Sequence, residues 1–219
     1  MSDDDVPLVG RFNNKLVETK ESWAREGRGL TGRRIGARLP PGQHETADWP
    51  VLDLGIQPNL SEKEWSLSVG GAVETPLKWS WDDFMAQPLT ELVSDIHCVT
   101  TWSRYDNTWQ GVSARHLLTQ VKPKQAARFL MLRSYDGYTT NVPLARFADD
   151  DVLLAHSWQG EKLSREHGGP VRMVIPKLYF WKSAKWLRAI TFMEQDSPGY
   201  WELRGYHAEG DPWTEQRYG

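Results

Sequence analysis

The stretch Leu89-Thr90-Glu91-Leu92-Val93-Ser94-Asp95-Ile96-His97-Cys98-Val99-Thr100-Thr101-Trp102-Ser103-Arg104 decides how this chain is read. Residues 89–100 form an apolar and β-branched run, which predicts a strand that delivers His97 and Cys98 at its C-terminal end. A polar, aromatic loop is expected to begin there, and loops held by a rigid sheet are where sites concentrate. Cys98 is the only cysteine among 219 residues. Its thiolate can bind a soft or high-valent metal, act as a nucleophile, or fill space as a small buried hydrophobe. The lack of a second cysteine excludes a zinc ribbon, a redox pair and an iron–sulfur cluster. Adjacent strand residues point to opposite faces, which argues against thiol catalysis by Cys98 with His97.

Outward from that strand, Trp65, Leu67 and Val69 alternate with the two-residue period of a half-buried strand that Gly70-Gly71 ends. Ser80, with Asp83 three residues on, reads as a helix N-cap that turns Phe84 and Met85 inward. Ser113 caps a second helix through Ala114, Leu117 and Leu118. Further strands are expected at 128–133, 138–142, 171–175 and 186–193, with a polar tail from Ser197. Strands outnumber helices, so the class is α+β. Residues 1–60 are rich in Gly, Pro, Arg and Asn, with a helical candidate at 17–25, and Pro40-Pro41-Gly42 and Gln57-Pro58-Asn59 as punctuation. They read as an extended arm wrapping one domain that spans 61–219.

The chain is 39% hydrophobic and 25% charged, enough apolar surface for a sizeable core. A net charge of -3 with dispersed basic residues leaves no electrostatic footprint for nucleic acid. No window approaches the run of about 18 apolar residues that a membrane helix needs. Met1-Ser2-Asp3-Asp4-Asp5 is acidic where an export signal is basic. With one cysteine and no export signal, a cytoplasmic location is expected. The 12 tryptophans read as core and rim residues, with Trp102, Trp109, Trp158 and Trp181 as candidate cavity walls.

A second constellation lies downstream: His167-Gly168-Gly169-Pro170-Val171-Arg172, then Lys182-Ser183-Ala184-Lys185-Trp186-Leu187. Glycines that permit close backbone approach, together with Arg and Lys, can cradle a phosphate, or can form a solvated basic loop between strands. The cysteine loop with Trp109-Gln110-Gly111-Val112, then Ser134-Tyr135-Asp136-Gly137-Tyr138, Asp151 to Gly160 and the two downstream segments, in this order, resemble the sulfite oxidase superfamily over about residues 60 to 195.

The resemblance implies a mixed α+β fold of β-sheets with flanking helices, which binds one molybdenum-molybdopterin cofactor. Cys98 matches the family's molybdenum ligand, and thiolate softness suits a metal cycling between oxidation states. Ser134, His167, Arg172, Ser183, Ala184 and Lys185 match the cofactor-binding set, with Arg172 and Lys185 on the pterin phosphate. Gln43, His44 and Glu45 resemble the family's N-terminal pterin-contacting loop in location. His156 stands where animal and plant sulfite oxidases place a tyrosine beside the metal, and a histidine there can shuttle protons. The sulfite-binding arginine has no clear counterpart near His44. Arg33-Arg34 lacks the apolar segment of a twin-arginine signal and reads as arm or partner surface.

The expectation is therefore a molybdopterin-dependent oxidoreductase that performs two-electron oxygen-atom transfer on a small molecule, either reducing an S-oxide or N-oxide or oxidising sulfite. No further cofactor segment is expected after residue 195, so electrons pass through a separate partner. The competing expectation is a cofactor-free module that binds an anionic or sugar ligand through its aromatic surface and basic loop, with Cys98 inert.

Overall fold

The structure, a computed structural model, describes residues 13–26 and 38–219. Arg33-Arg34 and the acidic start of the chain lie outside the described residues.

Two sheets share one core. The first has six strands: β1 (His44–Glu45), β4 (Leu89–His97), β5 (Trp102–Ser113), β8 (Leu153–Trp158), β9 (Glu161–Lys162) and β10 (Arg172–Val174). In the second, the order is β3 (Leu77–Ser80), β2 (Ser66–Gly71), β11 (Leu187–Met193), β6 (Phe129–Ser134) and β7 (Thr139–Pro143). β11 runs parallel to β2 and antiparallel to β6. Leu67, Val69, Leu130, Leu132 and Ile190 are buried from this sheet, as two-residue alternation requires.

The short helices stop and start where their caps dictate. In α2 (Trp81–Met85), the Ser80 side chain accepts from the Asp83 N–H while the Asp83 carboxylate accepts from the Ser80 N–H at 2.9 Å, and Phe84 is fully buried. In α3 (Ala114–Val121), the Ser113 hydroxyl accepts from the His116 N–H at 3.1 Å and Leu117 faces the core. Helix α1 (Asn14–Glu26) includes the predicted 17–25 segment and buries Val17. A last helical turn, α4 (Leu144–Phe147), follows β7 and buries Phe147.

Three expectations change. The residues after Cys98 turn within three residues into the twelve-residue β5, so the expected polar loop is the tip of a hairpin. Arg104, Asp106 and Asn107 make this stretch look like a loop. However, the Asn107 amide donates to Ser94 O at 3.1 Å and Arg104 O at 2.9 Å, which permits full burial inside a strand. Leu153–Trp158 is likewise a strand, a segment not singled out as one above. The tail after Ser197 is not a solvated end, because Tyr200, Trp201 and Tyr206 are buried in the core cluster.

Candidate cofactor and active site

Cys98 begins the tight turn between β4 and β5. Its N–H donates to Trp102 O at 2.8 Å, and the Thr101 N–H returns to Cys98 O at 3.0 Å, with Thr101 at φ 75. The sulfur is buried and lines a cleft walled largely by aromatic side chains, among them Trp49, Trp102, Phe180 and Trp186. Burial pushes the thiol pKa up. The hydroxyl of Thr100, 3.1 Å from the sulfur, and the charges of Lys20 and Arg217 pull it back down.

Gln43 is buried behind this turn. Its Nε2 donates to Cys98 O at 3.1 Å and its Oε1 accepts from Ser103 Oγ at 3.3 Å, so it supports the turn and does not line the cleft. His44 and Glu45 are exposed on β1, parallel to Trp102 and Ser103, and are not among the residues that line the cleft. His97 turns to the other face, as strand alternation requires. Its Nδ1 lies 2.8 Å from Ser103 Oγ and its ring meets Trp213 edge-on at 6.1 Å.

Arg172 and Lys185 bring positive charge to the same cleft. Arg172 is 2% exposed, and its guanidinium donates to three neutral carbonyls: His167 O at 2.7 Å, Ser183 O at 2.9 Å and Met173 O at 3.2 Å. Among the described residues no ion pair reaches it, and burial pulls its pKa down to about 9. Phe180 and Trp49 lie against the guanidinium, with ring centroids at 4.3 and 5.4 Å. Lys185 donates to Glu166 O at 2.7 Å and lies 4.7 Å from the Trp186 ring. Its pKa is pulled down to about 7, by burial first and then by Arg172. A buried cation with only carbonyl partners is costly, and an anion in the cleft would offset that cost.

His167 stacks on Trp49 with centroids 3.8 Å apart and rings 6° from parallel, and burial holds its pKa down to about 4. Ser134 points a buried hydroxyl without a partner into the same cleft. Ser183 Oγ accepts from the Ile175 N–H at 2.9 Å and Ala184 is buried beside it. A Cβ on Gly168, at φ 101, would lie 2.8 Å from the Lys185 Cβ, so the loop must stay bare for Lys185 to fold over it.

Cys98, Ser134, His167, Arg172, Ser183, Ala184 and Lys185 thus line one cleft. His156 does not. It stands in a second cleft beside Glu62, Lys162 and Arg165, with its ring edge-on to Trp81 and Phe84 at 6.2 Å, which corrects the expectation that it stands beside Cys98. Of the four expected walls, Trp102 and Trp181 line the Cys98 cleft. Trp109 is fully buried behind it and Trp158 packs on Trp49 at 4.7 Å.

Trp49, Asp53, Asp136, Trp186 and Trp201 line the cleft and were not singled out from the sequence. Asp136 had a signal, since it follows Ser134 by two residues at the β6–β7 turn; Trp49 and Asp53 had none beyond lying in the arm. An arginine that is buried without an ion pair and a serine hydroxyl without a hydrogen bond, both among the described residues, suit a phosphate-bearing polar heterocycle in this aromatic cleft, and the thiol that lines it suits a soft metal as a donor.

The model of the family described as "Oxidoreductase molybdopterin binding domain" matches residues 54–201. The "Uncharacterized oxidoreductase YuiH" of Bacillus subtilis (strain 168) is 47% identical over 182 residues, which cover 83% of this chain and 92% of that relative. "Protein-methionine-sulfoxide reductase catalytic subunit MsrP" of Campylobacter jejuni is 27% identical over 187 residues, 73% of this chain and 61% of that relative. The solved structure of the sulfane dehydrogenase SoxCD from Paracoccus pantotrophus shares the fold, with a TM-score of 0.58 at 24% identity over 64% of this chain and 40% of that one.

Proposed function

The chain belongs to the molybdopterin-binding oxidoreductase family and is a molybdopterin-dependent enzyme, and on that premise we propose that it exchanges one oxygen atom and two electrons with a small molecule at Cys98, the oxygen moving one way and the electron pair the other. The observation that carries this reading is the shared cleft, lined both by a buried thiol and by a buried arginine that has no anionic partner among the described residues.

In this reading the Cys98 sulfur ligates molybdenum, and Arg172 and Lys185 hold the pterin phosphate. Charge-assisted bonds of this kind are worth roughly twice neutral ones. Ser134 and Asp136 would offer a hydroxyl and a carboxylate to the pterin, and His167, neutral near pH 7 and held by its stack on Trp49, would offer a ring nitrogen. When bound, the cofactor supplies Lewis acidity and a two-electron redox change at the sulfur end. Gln43 holds the Cys98 turn from behind, and Thr100 gives its sulfur a hydrogen-bonding partner. Trp102 and Trp181 exclude water from the same space.

The arm before residue 60 completes the site, since Lys20, Trp49 and Asp53 line the cleft. The substrate is a small S-oxide, N-oxide or sulfite, and electrons pass through a separate partner protein. Among the described residues no helix is long and apolar enough to cross a membrane, and the single cysteine suits the cytoplasm we propose for it.

Metal and pterin analysis of protein made in a host that synthesises molybdopterin tests this. The wild type is expected to hold one molybdenum and one pterin. Cys98→Ser should keep the pterin and lose turnover with sulfite, methionine sulfoxide and N-oxides, and Arg172→Met should lose the cofactor itself. Full activity of Cys98→Ser, or unchanged cofactor content in Arg172→Met, would overturn the assignment.

A further inference from the structure

Two cations from segments outside residues 54–201, the span that the family model matches, lie in the surroundings of Cys98. Lys20 comes from α1 and lines the cleft together with Cys98. Its ammonium donates to the backbone oxygen of Asp53. The carboxylate of Asp53 acts on Lys20 only at longer range, because its two oxygens are taken by the Gly55 N–H at 2.8 Å and Gln57 Nε2 at 2.6 Å. Arg217 comes from the C-terminal segment. Its guanidinium donates to Val99 O and, at 3.4 Å, to Gly42 O, and lies 5.1 Å from the Tyr179 ring centroid. Among the described residues neither cation has a carboxylate within ion-pair distance; Lys20 shares the cleft with Cys98, and Arg217 bonds the carbonyl of the residue next to it.

Both cations are held in place. Lys20 is carried by a helix that buries Val17 and is tied at Asn13 N–H to Leu54 O at 3.0 Å and at Glu21 O to the Tyr218 hydroxyl at 3.1 Å. Arg217 is clamped by the turn that carries Cys98. A charge in a partly desolvated cleft acts more strongly on its neighbours than one in open water, where salt and solvent screen it.

We propose that Lys20 and Arg217 are tuning residues of the metal centre, positive charges that stabilise its reduced and more negative states and so raise its reduction potential. This rests on the reading that the Cys98 sulfur ligates molybdenum. A metal that gains an electron passes part of the added negative charge to its thiolate, and outer charges held near that sulfur shift the balance between oxidation states.

The test is a redox titration of the purified holoenzyme with dithionite and ferricyanide in the presence of mediators, read by the paramagnetic Mo(V) signal. Lys20→Met, which keeps length and removes charge, is expected to lower the midpoint potentials while molybdenum and pterin content stay at the wild-type level. Lys20→Arg should restore them. Arg217→Met should shift them in the same direction, with Arg217→Lys closer to wild type and the double neutral variant lowest. Unchanged potentials in Lys20→Met overturn the inference, and so does loss of cofactor from that variant, which would make Lys20 a cofactor-retention residue instead. The parent reading fails differently: Cys98→Ser would then leave the Mo(V) signal as it is in the wild type.

Discussion

At the scale of single residues, Asp136 shows how the cleft is prepared for a partner. Its carboxylate is 5% exposed, accepts the Tyr138 N–H at 2.9 Å, and is pushed up to about 6 by burial. The ordinary unfolded value is about 3.9. A raised native pKa means that the folded protein binds the proton more tightly than the unfolded chain. Stability from this residue is therefore complete below about pH 4 and is lost as pH rises through about 6. We predict that urea unfolding of the cofactor-free protein between pH 4 and 6 carries a downward contribution of up to about 1.4 kcal/mol per pH unit that Asp136→Asn removes. The same slope in both proteins would contradict this. A pterin that hydrogen-bonds to Asp136 would favour the ionised carboxylate, so the slope should shrink in the holoprotein.

At the scale of elements, the site depends on how β5 lies against β8. The pairing shifts register between Gln110 and Gly111, and a Cβ on Gly111 would sit 2.0 Å from Leu154 O and 2.7 Å from Ala155 Cα. Only glycine permits that approach. β8 in turn pairs Ala155 with Arg172 on β10, so a displaced β8 moves the arginine of the cleft. Gly111→Ala is expected to destabilise the fold by about 1–3 kcal/mol, as overpacking does. It should also lower cofactor content. A urea midpoint equal to wild type would show that the strands separate without cost.

At the scale of the molecule, one buried ion pair joins the C-terminal segment to the rest. The Lys182 ammonium, with its side chain 0% exposed, donates to Glu202 at 2.6 Å, to Asn141 O and Oδ1 at 2.9 Å each, and to Ala208 O at 2.6 Å. The same Glu202 oxygen accepts from Trp181 Nε1 and Thr140 Oγ1, both at 2.9 Å. Removing one partner strands a buried charge, so Lys182→Met and Glu202→Leu should each cost about 3–5 kcal/mol, and the double variant less than the sum. Strict additivity in chemical unfolding would mean that the pair is not coupled. Trp181 lines the cleft, so both single variants should also hold less pterin.

The sequence by itself determined the α+β class, the strand that leads into Cys98 and the caps at Ser80 and Ser113, because two-residue alternation and N-cap chemistry act over a few neighbouring positions. The order of Cys98 with the downstream glycine and lysine segments also pointed to the family and to seven residues that share the cleft. Only the tertiary structure decided the rest. It placed His156 in another cleft and brought Trp49 from the arm against Arg172. It also brought Lys20 into the cleft of Cys98 and Arg217 onto the carbonyl of Val99, from opposite ends of the chain. Strand periodicity fixes which face a side chain takes, but the neighbour across that face comes from sheet order and the path of the ends, and no local pattern encodes either.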